Sequence, residues 1–268
     1  PVDVPLSMLF GDLPITEMQV SEKQYSEEKG NNAEEFDLHD SIIKTLQHPT
    51  VASKAFLITI GDRTVGGMVA RDQFVGPYQV PVSDYSLTMR SFTSKTGEVL
   101  SIGEKPTLAI SNPAASMRMS LAEALTNMAG VFIKGLNYVQ VSANWMAASG
   151  ENREDLALRK GVEALSKIAV DLRVSIPVGK DSLSMKTKWS EGSNELEVTS
   201  PLSGVVTAMA PVEDISIAVT PELHADKDSA IILVKLNTAS RLSGSIFSEV
   251  TQSVYIDTPD IDDVTTVS

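Results

Sequence analysis

Between residues 152 and 172 the stretch NREDLALRKGVEALSKIAVDL sets Leu158, Val162, Leu165, Ala169 and Leu172 on one stripe, the spacing of an amphipathic helix. A second helix is predicted over AASMRMSLAEALTNMAGVF, residues 114–132, and a short one around Ile42, Ile43 and Leu46, stopping before Pro49. Apolar runs of strand length fall elsewhere. KAFLITIGD and RTVGGMVARD, residues 54–72, read as two β runs joined at Gly61-Asp62, and YQVPVSDYSLTMRSF, 78–92, as an extended segment with Pro81 at an edge or irregularity. PTLAIS (106–111), YVQVSANWM (138–146) and LSGVVTAMAPV (202–212) read as strands, and RVSIPVGKDSLSM (173–185) as a strand running into a glycine-containing turn. SAIILVKL (229–236) reads as a strand opening a second unit. The order strand, helix, strand, helix, strand, strand from residue 108 onward predicts an α/β or α+β layered domain.

Ahead of these elements, PVDVPLSMLFGDLP reads as an extended lead that wraps a neighbouring surface, and the acidic SEKQYSEEKGNNAEE as a loop or linker. The expected organisation is a lead-in over 1–40, a main domain over 41–221 and the start of another over 222–268. The chain has the look of a piece of something longer.

Charge narrows the partners. With 22 Lys and Arg against 35 Asp and Glu, the formal net charge is −13, which argues against nucleic acid or an anionic membrane as the main partner. Phosphate ligands stay open, since helix N-termini, backbone N–H groups and metal ions bind them without a basic surface. No cysteine is present, so disulfides, thiolate zinc sites and cysteine nucleophiles fall together. His39, His48 and His224 have no paired ligand spacing, no serine sits in G-x-S-x-G, and no apolar run reaches membrane-span length.

Two places carry candidate chemistry. Glu123 and Asn127 lie one turn apart on the helix 114–132 and share a face. Two readings stand: a polar stripe shared with Ser116, Ser120 and Gly130, or an oxygen-donor site for a hard cation such as Mg²⁺, with Asp84 a candidate second carboxylate. VGKDSLSM, residues 178–185, sets a lysine after glycine with a serine close behind. It is not a Walker loop, because position 174 is Val and Lys180 is followed by Asp181. An ordinary turn and a phosphate-facing strand end both fit it.

Taken together, HPTVASKAFLITIGDRTVGGMVARDQFVGPYQVPVSD, AEALTN, VSANWMAA and IPVGKDSLSMKT resemble the large, purine-pathway phosphoribosylformylglycinamidine synthases, also called formylglycinamide ribonucleotide amidotransferases. The resemblance runs from about residue 41 to 236; the acidic insert matches least. It implies a domain similar to the N-terminal domain of aminoimidazole ribonucleotide synthetase, with a mixed sheet and flanking helices, followed by the start of its C-terminal companion, both from the second half of the synthetase region.

The whole enzyme of that family converts formylglycinamide ribonucleotide, glutamine and ATP to formylglycinamidine ribonucleotide, glutamate, ADP and phosphate. Its second synthetase half holds ADP with Mg²⁺ as a structural cofactor. The resemblance carries the metal ligands onto Asp84, Glu123 and Asn127 and nucleotide contacts onto Lys54 and Ser83, with a further aspartate expected past residue 268. Gly179 and Ser182 match a loop at the catalytic ATP and substrate of smaller relatives, where Lys180 replaces a metal-binding Asn and Ala143 an ATP-contacting Asp. No catalytic residue is expected in this chain. The implied partners are the first synthetase half and the glutaminase domain of the same parent chain, with self-association through the sheet, and the implied location is cytoplasmic. A non-catalytic dimerisation or docking module with an empty ancestral site is the alternative. Thiamine-phosphate and selenophosphate kinases of the same superfamily lack the HPTVASK block.

Overall fold

The structure, a computed structural model, describes residues 3–12, 17–21, 36–61, 66–225, 229–235 and 239–268. In chain order its helices are α1 (Leu6–Phe10), α2 (Leu38–Gln47), α3 (Ala55–Ile60), α4 (Pro106–Ser111), α5 (Pro113–Asn127), α6 (Asn152–Leu172) and α7 (Ile246–Val250). Its strands are β1 (Val69–Arg71), β2 (Tyr85–Met89), β3 (Gly97–Glu104), β4 (Gln140–Met146), β5 (Ser175–Ser182), β6 (Lys186–Glu191), β7 (Asn194–Thr199) and β8 (Ser203–Val212).

Six strands form one mixed sheet in the order β1-β2-β3-β8-β4-β5, antiparallel except for the parallel pair β4–β5; β6 and β7 form a separate hairpin. This is the α/β, mixed-sheet class that the sequence predicts. Alternation on the central strands sends Val99, Val141, Ala143, Val206, Ala208 and Ala210 to one face, where Met117 and Leu121 of α5 and Leu165 and Ile168 of α6 close the core. The opposite face carries Leu100, Ile102, Val205, Thr207 and Met209 and is left partly or fully open.

Helix α5 starts where its sequence says it should. Pro113 occupies the first helical turn and Asn112 accepts the Ala115 N–H at 3.0 Å, capping the start. The helix lies hard against β3. A Cβ on Gly103 would stand 2.0 Å from the Ser120 carbonyl oxygen and 2.6 Å from the Ala124 nitrogen, so only glycine fits. Beside it the buried Ser101 hydroxyl donates to the Ala124 carbonyl. Helix α6 has the predicted limits and ends on Arg173 in the left-handed region at φ 58°. Its buried face runs through Leu156, Ala157, Gly161, Ala164, Leu165, Ile168, Ala169 and Leu172, while Val162 of the predicted stripe is exposed.

Five expectations are corrected. AFLITI forms helix α3, not a strand: a six-residue apolar run has no period that separates the two, and Ser53 Oγ accepts the Ala55 N–H while Thr59 Oγ1 donates back to the Ala55 carbonyl at 2.9 Å. The hairpin expected at Gly61-Asp62 loses its first strand, and Asp62 lies outside the described residues. PTLAIS forms helix α4, because Pro106 at its first position is preset for a helical φ. Gly179 is no turn; β5 runs straight through it to Ser182 alongside β4. Among the described residues, 230–235 form no strand, and Ile231, Ile232, Leu233 and Val234 stand exposed. Most of the acidic insert also lies outside the described residues.

The C-terminal stretch packs back on the helical layer. Arg118 of α5 meets Asp260 through a two-pronged contact, with Nε to Oδ1 at 2.8 Å, and Ile261 is buried. Val264 and Val267 pack against the same core. Helix α2 rests on α7 through the edge-to-face pair Phe36–Phe247 and His48–Glu249 at 3.2 Å.

Candidate functional site

Helix α5 crosses the sheet so that its last two turns overhang the C-terminal end of β3. Glu123 Oε2 accepts the Glu104 N–H at 2.8 Å, and Asn127 Nδ2 donates to the Ile102 carbonyl at 3.0 Å. Glu123 Oε1 forms an ion pair with Lys105, the residue that follows β3. Asp84, exposed, directly precedes β2. Tyr85 pairs with Ser101, so Asp84 stands just before the paired residues, at the same end of the strand pair as the last residues of β3. Glu123, Asn127 and Asp84 therefore share one end of one strand pair.

Ser83, next to Asp84, is occupied with its own backbone: its N–H donates to the Gln73 carbonyl at 2.8 Å and its hydroxyl to the Tyr85 carbonyl at 3.0 Å. Lys54 stands before α3 and its ammonium donates to the Ala52 carbonyl, turned onto its own loop. Gly179 and Ser182 belong to β5, opposite Ala143 and Met146, and Ser182 Oγ takes the Lys180 ammonium at 3.0 Å. In the sheet order β5 is four strand spacings from β2, about 19 Å at the usual separation. All these residues except Lys54 and Gly179 lie near the same end of the sheet, but they form two groups that cannot share one ion. Gly179 lines an apolar groove of about 360 Å³ with Trp145, Val170, Ile176 and Val178.

The sequence reading missed Lys105. Its signal is positional: a cation immediately after a strand whose neighbouring helix carries a carboxylate, visible only once 97–104 is known to be a strand. Among the described residues no group of three or more His, Cys, Asp or Glu is arranged to hold a metal. The donors at the β3 end are two carboxylates and a carboxamide, all oxygen, which suits a hard cation completing its shell from water and phosphate. Glu123 already faces one positive charge there, the Lys105 ammonium. In residue type these donors suit such an ion.

At the other end of the site region, the first turn of α6 buries two acids. Glu154 accepts the Leu202 N–H at 2.8 Å and Asp155 the Gly150 N–H at 3.1 Å. Burial pushes the Glu154 carboxyl above its ordinary value, only partly offset by that hydrogen bond and by Arg153. A raised folded-state pKa favours the protonated form, so this group's contribution is present below the unfolded value near 4.5 and is lost as pH rises through the folded value. Glu154→Gln keeps an acceptor for Leu202 and removes the charge. It is expected to raise the melting temperature at pH 7, with the gain vanishing toward pH 4; a variant less stable than the parent at pH 7 would contradict this.

The model of the FGAR-AT PurM_N-like domain family matches residues 53–211, more than half of the 268 residues. The chain belongs to this family. Solved structures agree only loosely with this FGAR-AT-type domain. PurLQS from Thermotoga maritima is 15% identical with a TM-score of 0.47, over 83% of this chain and 31% of that one. T. maritima PurL complexed with ATP is 14% identical with a TM-score of 0.48, over the same shares. A thiamine-monophosphate kinase from Stenotrophomonas maltophilia K279a reaches 13% and 0.32, over 53% and 38%. The chain thus spans under a third of the length of the PurL structures it matches. Among the described residues no helix is long and apolar enough to cross a membrane.

Proposed function

We propose that this chain is part of an ATP-dependent amidoligase of purine biosynthesis, which makes formylglycinamidine ribonucleotide from formylglycinamide ribonucleotide, glutamine and ATP. The family membership of residues 53–211 supports the reaction. In that reaction ATP phosphorylates the amide oxygen of the substrate, ammonia released from glutamine attacks the activated carbon, and phosphate leaves. None of the residues here acts as a nucleophile; their work is to bind and position.

The local role is to hold a nucleoside diphosphate with Mg²⁺ at the β2–β3 end. Asp84, Glu123 and Asn127 supply oxygens to the ion, and Ser83 and Lys54 face the nucleotide. The metal, when bound, neutralises phosphate charge. Gly179 and Ser182, on the far strand, contribute to the separate synthetase site. The observation that carries this role is the grip of Glu123 and Asn127 on the last residues of β3, at the end of the strand pair that Asp84 directly precedes. The open sheet face, where Ile102 is 55% exposed, supports contact with the first synthetase half or with a second copy. We assign the protein to the cytoplasm on the strength of the pathway.

A ligand that binds only the folded form at a hundred times its Kd stabilises by about 2.7 kcal/mol, roughly 5–10 °C for a chain of this size. ADP with Mg²⁺ is expected to shift the melting temperature by this order, and the double variant Glu123→Ala, Asn127→Ala to abolish the shift. An undiminished shift in the double variant would defeat the metal assignment.

A further inference from the structure

We infer that Lys105 is a resident counter-cation of the strand-end site, displaced from Glu123 by a divalent ion and moved to the phosphates when a nucleotide binds. This rests on the reading of the Asp84, Glu123 and Asn127 group given above and adds a residue and a sequence of binding to it.

The geometry separates a fixed backbone from a mobile charge. The Lys105 carbonyl accepts the Ser116 hydroxyl of α5 at 2.7 Å, so the main chain is tied to the helix that bears Glu123. From there the side chain returns over the helix and sets its ammonium on Glu123 Oε1. Both side chains are about one-third exposed, at 34% and 30%. An ion pair that exposed is weak, and a lysine is a point charge on a flexible stem, so the contact exchanges easily.

Charge supplies the order of events. Asp84, Glu104 and Glu123 are three acidic residues at this end of β2 and β3, and the structure pairs Lys105 with Glu123. Without metal, the ammonium holds the Glu123 carboxylate in place alongside the Glu104 N–H. A divalent ion on the same oxygen makes the ammonium redundant there. An incoming diphosphate carries more negative charge than one Mg²⁺ offsets at two carboxylates, and the freed ammonium lies within a side-chain swing of it. Lys105 thus opposes metal alone and favours metal together with nucleotide, which discriminates the charged nucleotide complex from a bare ion.

The test compares Lys105→Met and Lys105→Arg with the parent protein, titrating Mn²⁺ alone by electron paramagnetic resonance and then ADP in the presence of Mn²⁺, with Glu123→Gln as the site control. Methionine keeps most of the stem and removes the charge; arginine keeps the charge and grips a carboxylate with two N–H groups. Mn²⁺ alone should bind about two- to fivefold more tightly to Lys105→Met, and more weakly to Lys105→Arg, on the scale of an exposed ion pair, while ADP with Mn²⁺ should bind Lys105→Met about two- to fivefold more weakly. Glu123→Gln should lose the Mn²⁺ site. Equal weakening of both ligands in Lys105→Met would make Lys105 a mere prop for Glu123 and overturn the inference, as would no change in either, or no Mn²⁺ bound by any variant. Tighter Mn²⁺ in Lys105→Met with no ADP bound by any protein would uphold the exchange at Glu123 and sink the nucleotide role. ADP binding lost in Glu123→Gln but unaffected at Lys105 would leave the proposed nucleotide site standing and overturn the inference about Lys105.

Discussion

Alanine at position 103 is expected to lower the melting temperature by roughly 10 °C, on the basis of about 3 kcal/mol of overpacking in a chain of this size. The added methyl meets the Ser120 carbonyl and the Ala124 nitrogen, both backbone atoms of α5. No rotamer change relieves such a contact; the helix itself must lift from β3. Lifting it also strains the Glu123 and Asn127 bonds to residues 104 and 102. Calorimetry on Gly103→Ala should therefore show a large loss, and hydrogen exchange at the Glu104 amide should quicken beyond what the global loss predicts. A Gly103→Ala protein as stable as its parent would show that α5 and β3 do not approach this closely.

The second large effect centres on Met117, which is buried and fills the space between α5, α6 and β8. A Cβ on Gly204 would fall 2.1 Å from its sulfur, and one on Gly161 would fall 3.1 Å from its Cγ. Truncation by Met117→Ala leaves a cavity and should cost about 2–5 kcal/mol. Gly204→Ala alone collides only with the far end of a flexible side chain and should cost less, about 1–3 kcal/mol. Combined, the new methyl enters the space that the thioether has left. The double variant should then be more stable than the sum of the single losses by about 1 kcal/mol or more, the coupling expected of residues in contact. Strict additivity in denaturant unfolding would separate the two positions and refute this packing.

The same contacts explain what could be read from the chain before its structure was known. Helices α5 and α6 are legible because each carries its own signals: Asn112-Pro113 at one start, a sustained apolar period in the other. Strand β3 is not. Its inward positions are Val99, Ser101 and Gly103, small because α5 is so near, while Leu100 and Ile102 point to the open face, so the usual alternation is weak or inverted. Helices α3 and α4 look like strands because six apolar or β-branched residues have no decisive period, and local capping settles the matter. Of the candidate site, Glu123 and Asn127 can be found from spacing since one helix bears both. Asp84 can be named from residue type as a candidate, but spacing does not place it near the helix, and the resemblance to a known family supplied its assignment as a ligand. Lys105 acts across a turn whose preceding strand went unread.

The run Ile231–Val234 has a colloidal consequence. Four consecutive apolar, mostly β-branched side chains, exposed and outside any strand among the described residues, are the raw material of cross-β stacking between molecules. Storage at high concentration therefore favours fibrous precipitate seeded from this segment while the sheet and its helices are still folded, and a charge placed at Ile232 would act as a gatekeeper against it.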